Sequence, residues 1–195
     1  MKKTERILLI IAFFAILLKF MLINGSGLLT VLSLMSLAVI YYLLGFAFFN
    51  SIRLKDIFKK QSYNGISVLR IIGTIGFGFS ISTVIIGILF ILQSWNGGSV
   101  NLITGLAILL ICTVVAIIRW TKTKSGSYNL IFSRAAIIGF FGLLFLITPK
   151  MTVFENLHRN HPAYVEAVRN LNNDPNNEEL QAEVDHQIEI IRSEK

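Results

Sequence analysis

The stretch VIIGILFILQSWNGGSVNLITGLAILLICTVV, residues 84–115, decides the architecture. Two apolar runs flank a polar break, Gln93-Ser94-Trp95-Asn96-Gly97-Gly98, whose Asn-Gly pair marks a tight turn. The first run reaches back to Arg70 and the second extends to Arg119. Each is long enough to cross the roughly 30 Å of bilayer hydrocarbon as a helix of about 20 residues. The stretch reads as two transmembrane helices joined by a short turn. A fainter copy surrounds Asn24-Gly25-Ser26-Gly27.

Composition agrees with a lipid setting. Of the 195 residues, 54% are hydrophobic and 15% charged, whereas a soluble domain carries about a quarter charged residues. Working outward from the quoted stretch, spans are expected at about 7–23, 28–49, 70–93, 99–119 and 129–148, with Pro149 ending the last. The expected fold is an all-α integral membrane protein: five transmembrane helices, as two repeated hairpins plus one, in a bundle over 1–149. A C-terminal αα-hairpin follows in 150–195. The basic start and apolar core of residues 1–23 resemble a signal peptide. Lys19 interrupts the run and no Ala-x-Ala follows, so the segment is read as an uncleaved first span. Lys19 lies one turn from its far end, where it can snorkel to the headgroups; an ion-pathway lysine is the sharper alternative.

The formal net charge of +7 hides a partition. Residues 1–149 hold thirteen Lys/Arg against Glu5 and Asp56, a net +11, and residues 150–195 hold five basic against nine acidic groups, a net −4. Basic residues cluster in loops 50–64 and 119–128, while the turns 24–27 and 94–98 are uncharged. The bias of Lys and Arg toward the cytoplasmic side then sets the topology: inner (cytoplasmic) membrane of a bacterium, N-terminus cytoplasmic, C-terminus periplasmic. The same partition leaves no soluble basic face for nucleic acid. In loop 50–64, Leu54, Ile57 and Phe58 fall on one face of a short helix that would lie on an anionic inner leaflet.

Two stripes of small residues are expected to mediate helix packing. Gly76, Ser80, Thr83 and Gly87 line one face of the third span, and Ala135, Gly139 and Gly142 one face of the fifth, a suitable partner for the first stripe. Cys112 is a lone thiol within an apolar run and is read as a packing residue.

After Pro149 the pattern changes. Residues 150–161 read as irregular, and Pro162 occupies a first helical position after Asn160-His161. Tyr164, Val168 and Leu171 form one apolar stripe. Asn172-Asn173-Asp174-Pro175 supplies a turn, with Asp174 as cap, before a second stripe of Leu180, Val184, Ile188 and Ile191. This acidic extracytoplasmic hairpin looks like one unit of a tetratricopeptide array, which is too small to bury a core alone. Its apolar face, the candidate partner-binding surface, should therefore pack on another subunit, on the chain's own outer loops, or on a partner. His158 and His161 are three apart, but Pro162 argues against a helix there, and no metal site or cofactor is assigned.

A shift of 72 residues aligns Ile16 with Ile88, Leu17 with Leu89, Asn24 with Asn96, Gly25 with Gly97, Leu34 with Leu106 and Leu37 with Leu109. Both hairpins would enter from the cytoplasm, as a parallel repeat about an axis along the membrane normal. The run Val84–Phe90, then Trp95-Asn96-Gly97-Gly98 and Gly105-Leu106-Ala107, resembles the membrane hairpin of the GldL family, inner-membrane motor proteins of Bacteroidota gliding motility and type 9 secretion. The family's Lys, His and Pro positions are Ile91, Ser94 and Asn96 here; in the first hairpin Lys19 fits the lysine position and Ile23 replaces the tryptophan. Such motors resemble stators that couple ion flow through a membrane carboxylate. No Asp or Glu lies between Glu5 and Asp56, nor between Asp56 and Glu155, so every expected span lacks one and the motor role is not carried over.

The spans also lack histidine, and Gly73, Gly76 and Gly78 have no following Lys-Ser/Thr to form a phosphate loop. The function expected is therefore that of a non-catalytic inner-membrane subunit or accessory scaffold of a larger envelope complex. Its partners are membrane lipids and other membrane or periplasmic subunits, with the tail hairpin as docking element. The competing expectation is a small oligomeric transporter or channel in which Lys19, Arg70 and Arg134 favour anions.

Overall fold

The computed structural model describes residues 2–193 and is all-helical over them. Its α-helices are α1 (Lys2–Phe20), α2 (Ser26–Phe49), α3 (Val68–Leu92), α4 (Gly98–Thr123), α5 (Asn129–Ile147), α6 (Lys150–Leu157), α7 (Pro162–Asn173) and α8 (Glu178–Ser193). The chain divides into two compact units, one ending at Ile147 and the other starting at Thr148.

In the first unit, four stretches are long and apolar enough to cross a membrane: Ser26–Phe49, Val68–Leu92, Gly98–Thr123 and Gly126–Ile147. The 19-residue α1 is not among them, because charges crowd its first turns and Lys19 stands in its last. It starts at Lys2 rather than at Ile7, which brings Glu5 into the helix. Helix α3 is the core of the unit. It packs most extensively on α4 and α2 and also meets α5. Accordingly 67% of its apolar window is buried, against 22% for α4.

Backbone contact sets two of these crossings. A Cβ on Gly78 would lie 2.5 Å from the Tyr41 carbonyl oxygen, and one on Gly45 would lie 2.8 Å from Gly78 Cα, so α2 and α3 touch main chain to main chain. Between α3 and α4, a Cβ on Gly87 would meet Leu102 N at 2.8 Å and one on Gly105 would meet Val84 N at 2.7 Å. Small residues give this proximity where helices associate without a hydrophobic drive.

The two small-residue stripes do not pair with each other as expected. Gly76 and Gly87 of the α3 stripe face α4, at Cys112 and Leu102, while Ser80 is buried with its hydroxyl bonded back to Phe77 O and Thr83 bonds Phe79 O. On α5, Gly142 abuts Val84 and Leu106, and Gly139 approaches Leu109. Ala135 and Gly139 line an apolar groove of about 890 Å³ between α4 and α5. Leu106 and Leu109 of α4, together with Val84 beside the α3 stripe, occupy the place that the stripe itself was expected to take.

The two hairpin turns share one backbone geometry at an offset of 72. Leu22 and Ser94 both have φ 59°, and Gly25 and Gly97 have φ 81° and 86°. Ile23 N donates to Leu18 O as Trp95 N donates to Phe90 O, and Leu22 N to Lys19 O as Ser94 N to Ile91 O. These paired bonds cap the carbonyls of α1 and α3 through a left-handed residue. The segment expected as a short helix at 50–64 instead forms two 3-10 turns, Leu54–Asp56 and Lys60–Tyr63, held by Lys59–Asp56 at 2.9 Å and Tyr63 OH to Ile57 O at 2.6 Å. The Asp56 carboxyl is lowered from its ordinary range by its hydrogen bond from Lys59. A piece this short lacks the length to propagate an α-helix.

Gly78→Ala should cost about 1–3 kcal/mol by forcing α2 and α3 apart. Gly73→Ala, with nothing within 4 Å of its Cβ, should stay within about 1 kcal/mol of the parent. Ser94→Gly, which relieves a left-handed residue, should gain about 1 kcal/mol. Denaturant unfolding in mild detergent measures all three, and equal effects of the two alanines would exclude the backbone crossing as the constraint.

Candidate functional site

Charged and polar side chains inside the first unit gather in three places. The innermost joins the first and last helices of the bundle. Glu5, one turn into α1, is fully buried. Arg134 of α5 grips it in a bidentate pair, Nε to Oε1 at 2.5 Å and Nη2 to Oε2 at 2.8 Å. Tyr41 of α2, also fully buried, donates its hydroxyl to Oε1 at 2.5 Å. The tyrosine ring sits against Phe48 and Phe49, and Phe49 against Phe77 of α3 at 4.9 Å between centroids. Its own carbonyl is the atom on which Gly78 rests.

The four stretches long and apolar enough to cross a membrane carry no Asp or Glu, as expected; the bundle nonetheless holds a carboxylate, Glu5, carried in by the first turn of α1. Arg134 is not a free cation for anions, since Glu5 neutralises it across 129 residues of sequence. What sequence could offer was faint, a lone acid within Lys2-Lys3-Thr4-Glu5-Arg6 and a lone arginine early in an apolar run. No periodicity relates the two.

The second cluster lies where α2 ends and α3 begins. Arg70 donates from Nε to Asn50 Oδ1 and from Nη1 to Ser127 Oγ, both at 2.8 Å, and its guanidinium lies 4.9 Å from the Tyr128 ring centroid. Asn50 Nδ2 donates to Thr74 Oγ1 at 2.9 Å and to Phe46 O at 2.8 Å. The third ties the opposite end, where Lys19 Nζ donates to Gln93 Oε1 at 2.9 Å and Gln93 Nε2 to Gly27 O at 3.2 Å. Lys19 thus links the two hairpin turns to each other. No buried side-chain nitrogen or oxygen among the described residues lacks a partner.

The second unit builds its own small core. Residues 150–161, read as irregular, contain α6, which starts after Pro149 and buries Val153 and Leu157 at i, i+4. Phe154, His158 and Tyr164 form an aromatic cluster with centroids 4.3–5.4 Å apart, and burial raises the Tyr164 phenol above its ordinary value. Arg169 and Glu155 pair at 2.6 Å. Helices α7 and α8 pack on each other. Val184 is buried, and Tyr164, Val168, Leu171, Leu180, Ile188 and Ile191 are half-buried. Pro162 opens α7 as expected, without a side-chain cap from His161. Asp174 does not cap α8; Asn177 does, its Oδ1 accepting from Glu179 N at 3.0 Å and Leu180 N at 3.3 Å. Among the described residues, no three His, Cys, Asp or Glu gather to hold a metal ion.

Removing one partner of a buried ion pair strands the other, at about 3–5 kcal/mol. Glu5→Gln and Arg134→Gln should each destabilise on that scale, the double variant less than the sum of the two, and Tyr41→Phe about 1 kcal/mol. A double-mutant cycle on detergent unfolding reads the coupling, and strictly additive losses would rule out the clamp.

No protein-family model matches this sequence, no curated protein is similar to it at a significant level, and no solved structure significantly matches the fold.

Proposed function

We propose that this chain is a non-catalytic subunit or accessory scaffold of a larger complex in the bacterial cell envelope, with the helical tail as its docking element. One observation carries the reading: the polar side chains of the bundle are engaged in ties between its segments. Glu5, Tyr41 and Arg134 join α1, α2 and α5, while Lys19 and Gln93 join the two turns. Arg70 joins α3 to Asn50 and to the segment before α5. Groups saturated in this way hold a shape; they are not poised for turnover.

The topology that goes with this reading has five spans in the inner membrane, a cytoplasmic N-terminus and a periplasmic tail. Its support is that Glu5 ties the start of α1 to Tyr41 of α2 and Arg134 of α5, and that Lys2 Nζ reaches Ser51 Oγ at 3.4 Å. The α1 start, loop 50–67 and the segment before α5 then share one end, linked also by Arg70–Ser127. That end carries the basic clusters, as an inner face does. The GldL-like hairpins add an envelope setting without the motor role, because Glu5 is locked by Arg134 and Tyr41 rather than open to an ion. The transporter alternative loses Arg134 as a free anion ligand, because Glu5 neutralises it.

The test is affinity purification of the tagged full chain from its native membrane in mild detergent. A discrete assembly with reproducible co-purifying subunits is expected, and a solitary chain would sink the proposal. Protease added to intact spheroplasts should clip the tail. Cleavage only after inner-membrane lysis would overturn the five-span topology.

A further inference from the structure

Between the first half of α3, the last turns of α4 and the start of α5 lies a cavity of about 400 Å³. Its mouth is cationic and hydroxylated. Arg70 and Arg119 both line it, with Ser67, Thr123 and Ser125, and among the described residues no carboxylate lines it. Arg70 is held in place by Asn50, Ser127 and the Tyr128 ring, yet its Nη2 amine has no hydrogen-bond partner among the described residues. Arg119 is exposed and has no acidic partner among them. The floor is apolar, formed by the buried Phe77, Ala116 and Ile131, with the exposed Val115 at its side. Gly73 keeps the wall open, since nothing lies within 4 Å of a Cβ built on it.

We infer that this cavity is a binding site for one anionic phospholipid, its phosphate headgroup between Arg70 and Arg119 and the upper part of an acyl chain along Phe77 and Val115. The chemistry matches at both ends. A guanidinium presents a planar fork of donors suited to phosphate oxygens, and Arg70 is already immobilised, so little ordering remains to be done on binding. Basic pockets between transmembrane helices at the membrane edge are where acidic headgroups dock. A free phosphate would use the mouth and leave the floor empty; a zwitterionic lipid would use the floor but bring a choline or ethanolamine cation to two guanidiniums. The site needs only that this end of the bundle lie at a membrane interface, so it stands or falls independently of the docking role.

Native mass spectrometry of the full chain, released from nanodiscs containing phosphatidylglycerol or phosphatidylcholine, reads the site directly. One retained phosphatidylglycerol is expected, with no retained phosphatidylcholine. Arg119→Gln should weaken retention about fivefold, the scale of one basic residue at a lipid surface. Gly73→Leu should also weaken it, by filling the cavity without changing charge. Lys55→Gln/Lys59→Gln, in the other basic loop, should leave it unchanged. Melting in neutral detergent reports whether each variant is folded. Equal retention of phosphatidylcholine, or full retention by folded Arg119→Gln and Gly73→Leu, would overturn the site. Stabilisation by inorganic phosphate as large as that by phosphatidylglycerol would overturn the lipid as its ligand.

Discussion

The bidentate grip of Arg134 on Glu5 is the interaction from which the arrangement of the bundle follows. A carboxylate and a guanidinium taken out of water are each costly, and only close mutual pairing with the remaining lone pairs satisfied offsets that cost. Here Arg134 takes both carboxylate oxygens and Tyr41 adds a third bond to Oε1. The pair can therefore exist in one geometry only. That geometry ties the first helix of the bundle to the last, with Tyr41 of α2 as the third partner. Non-directional apolar packing would permit many rotations of α1; the paired charges select one.

Tyr41 passes this constraint on. Its hydroxyl serves Glu5 while its carbonyl forms the floor on which Gly78 of α3 sits, so the ion pair and the closest helix crossing share a residue. From Gly78, α3 continues to Gly87, where α4 approaches equally closely. Most of α3 is buried for that reason, and the smaller ties at Arg70 and Lys19 then hold the two ends of the hairpins. A bundle with its polar groups committed in this way is suited to presenting a fixed surface. The cavity beside Arg70 is the exception, a place where positioned donors and an apolar floor are left open together.

The tail follows the same physics on a smaller scale. Its apolar stripes are shared between α7 and α8, and α6 adds Val153, Leu157 and the Phe154 ring. This extra helix was readable in principle, since Val153 and Leu157 stand at i, i+4 after a proline, but eight residues give a pattern too short to separate from a loop. The cap of α8 was misplaced by three residues because Asp174-Pro175 is as good a start signal locally as Asn177. The structure uses Asp174 to receive Asn177 Nδ2 instead, at 3.2 Å.

What the sequence determined by itself is local. The apolar runs become helices, the Asn-Gly turns fall at the expected positions, and Pro162 opens its helix. Each of these depends on residues within a few positions of one another. Which face meets which was decided only in three dimensions. Glu5 and Arg134, Tyr41 and Gly78, Gly45 and its neighbour on α3, and the two arginines beside one cavity are separated by tens of residues or more. In apolar helices nearly every face looks alike in sequence, so no periodicity marks the packed one. Close glycine contact and the pairing of rare charges choose among faces, and both are properties of two helices together.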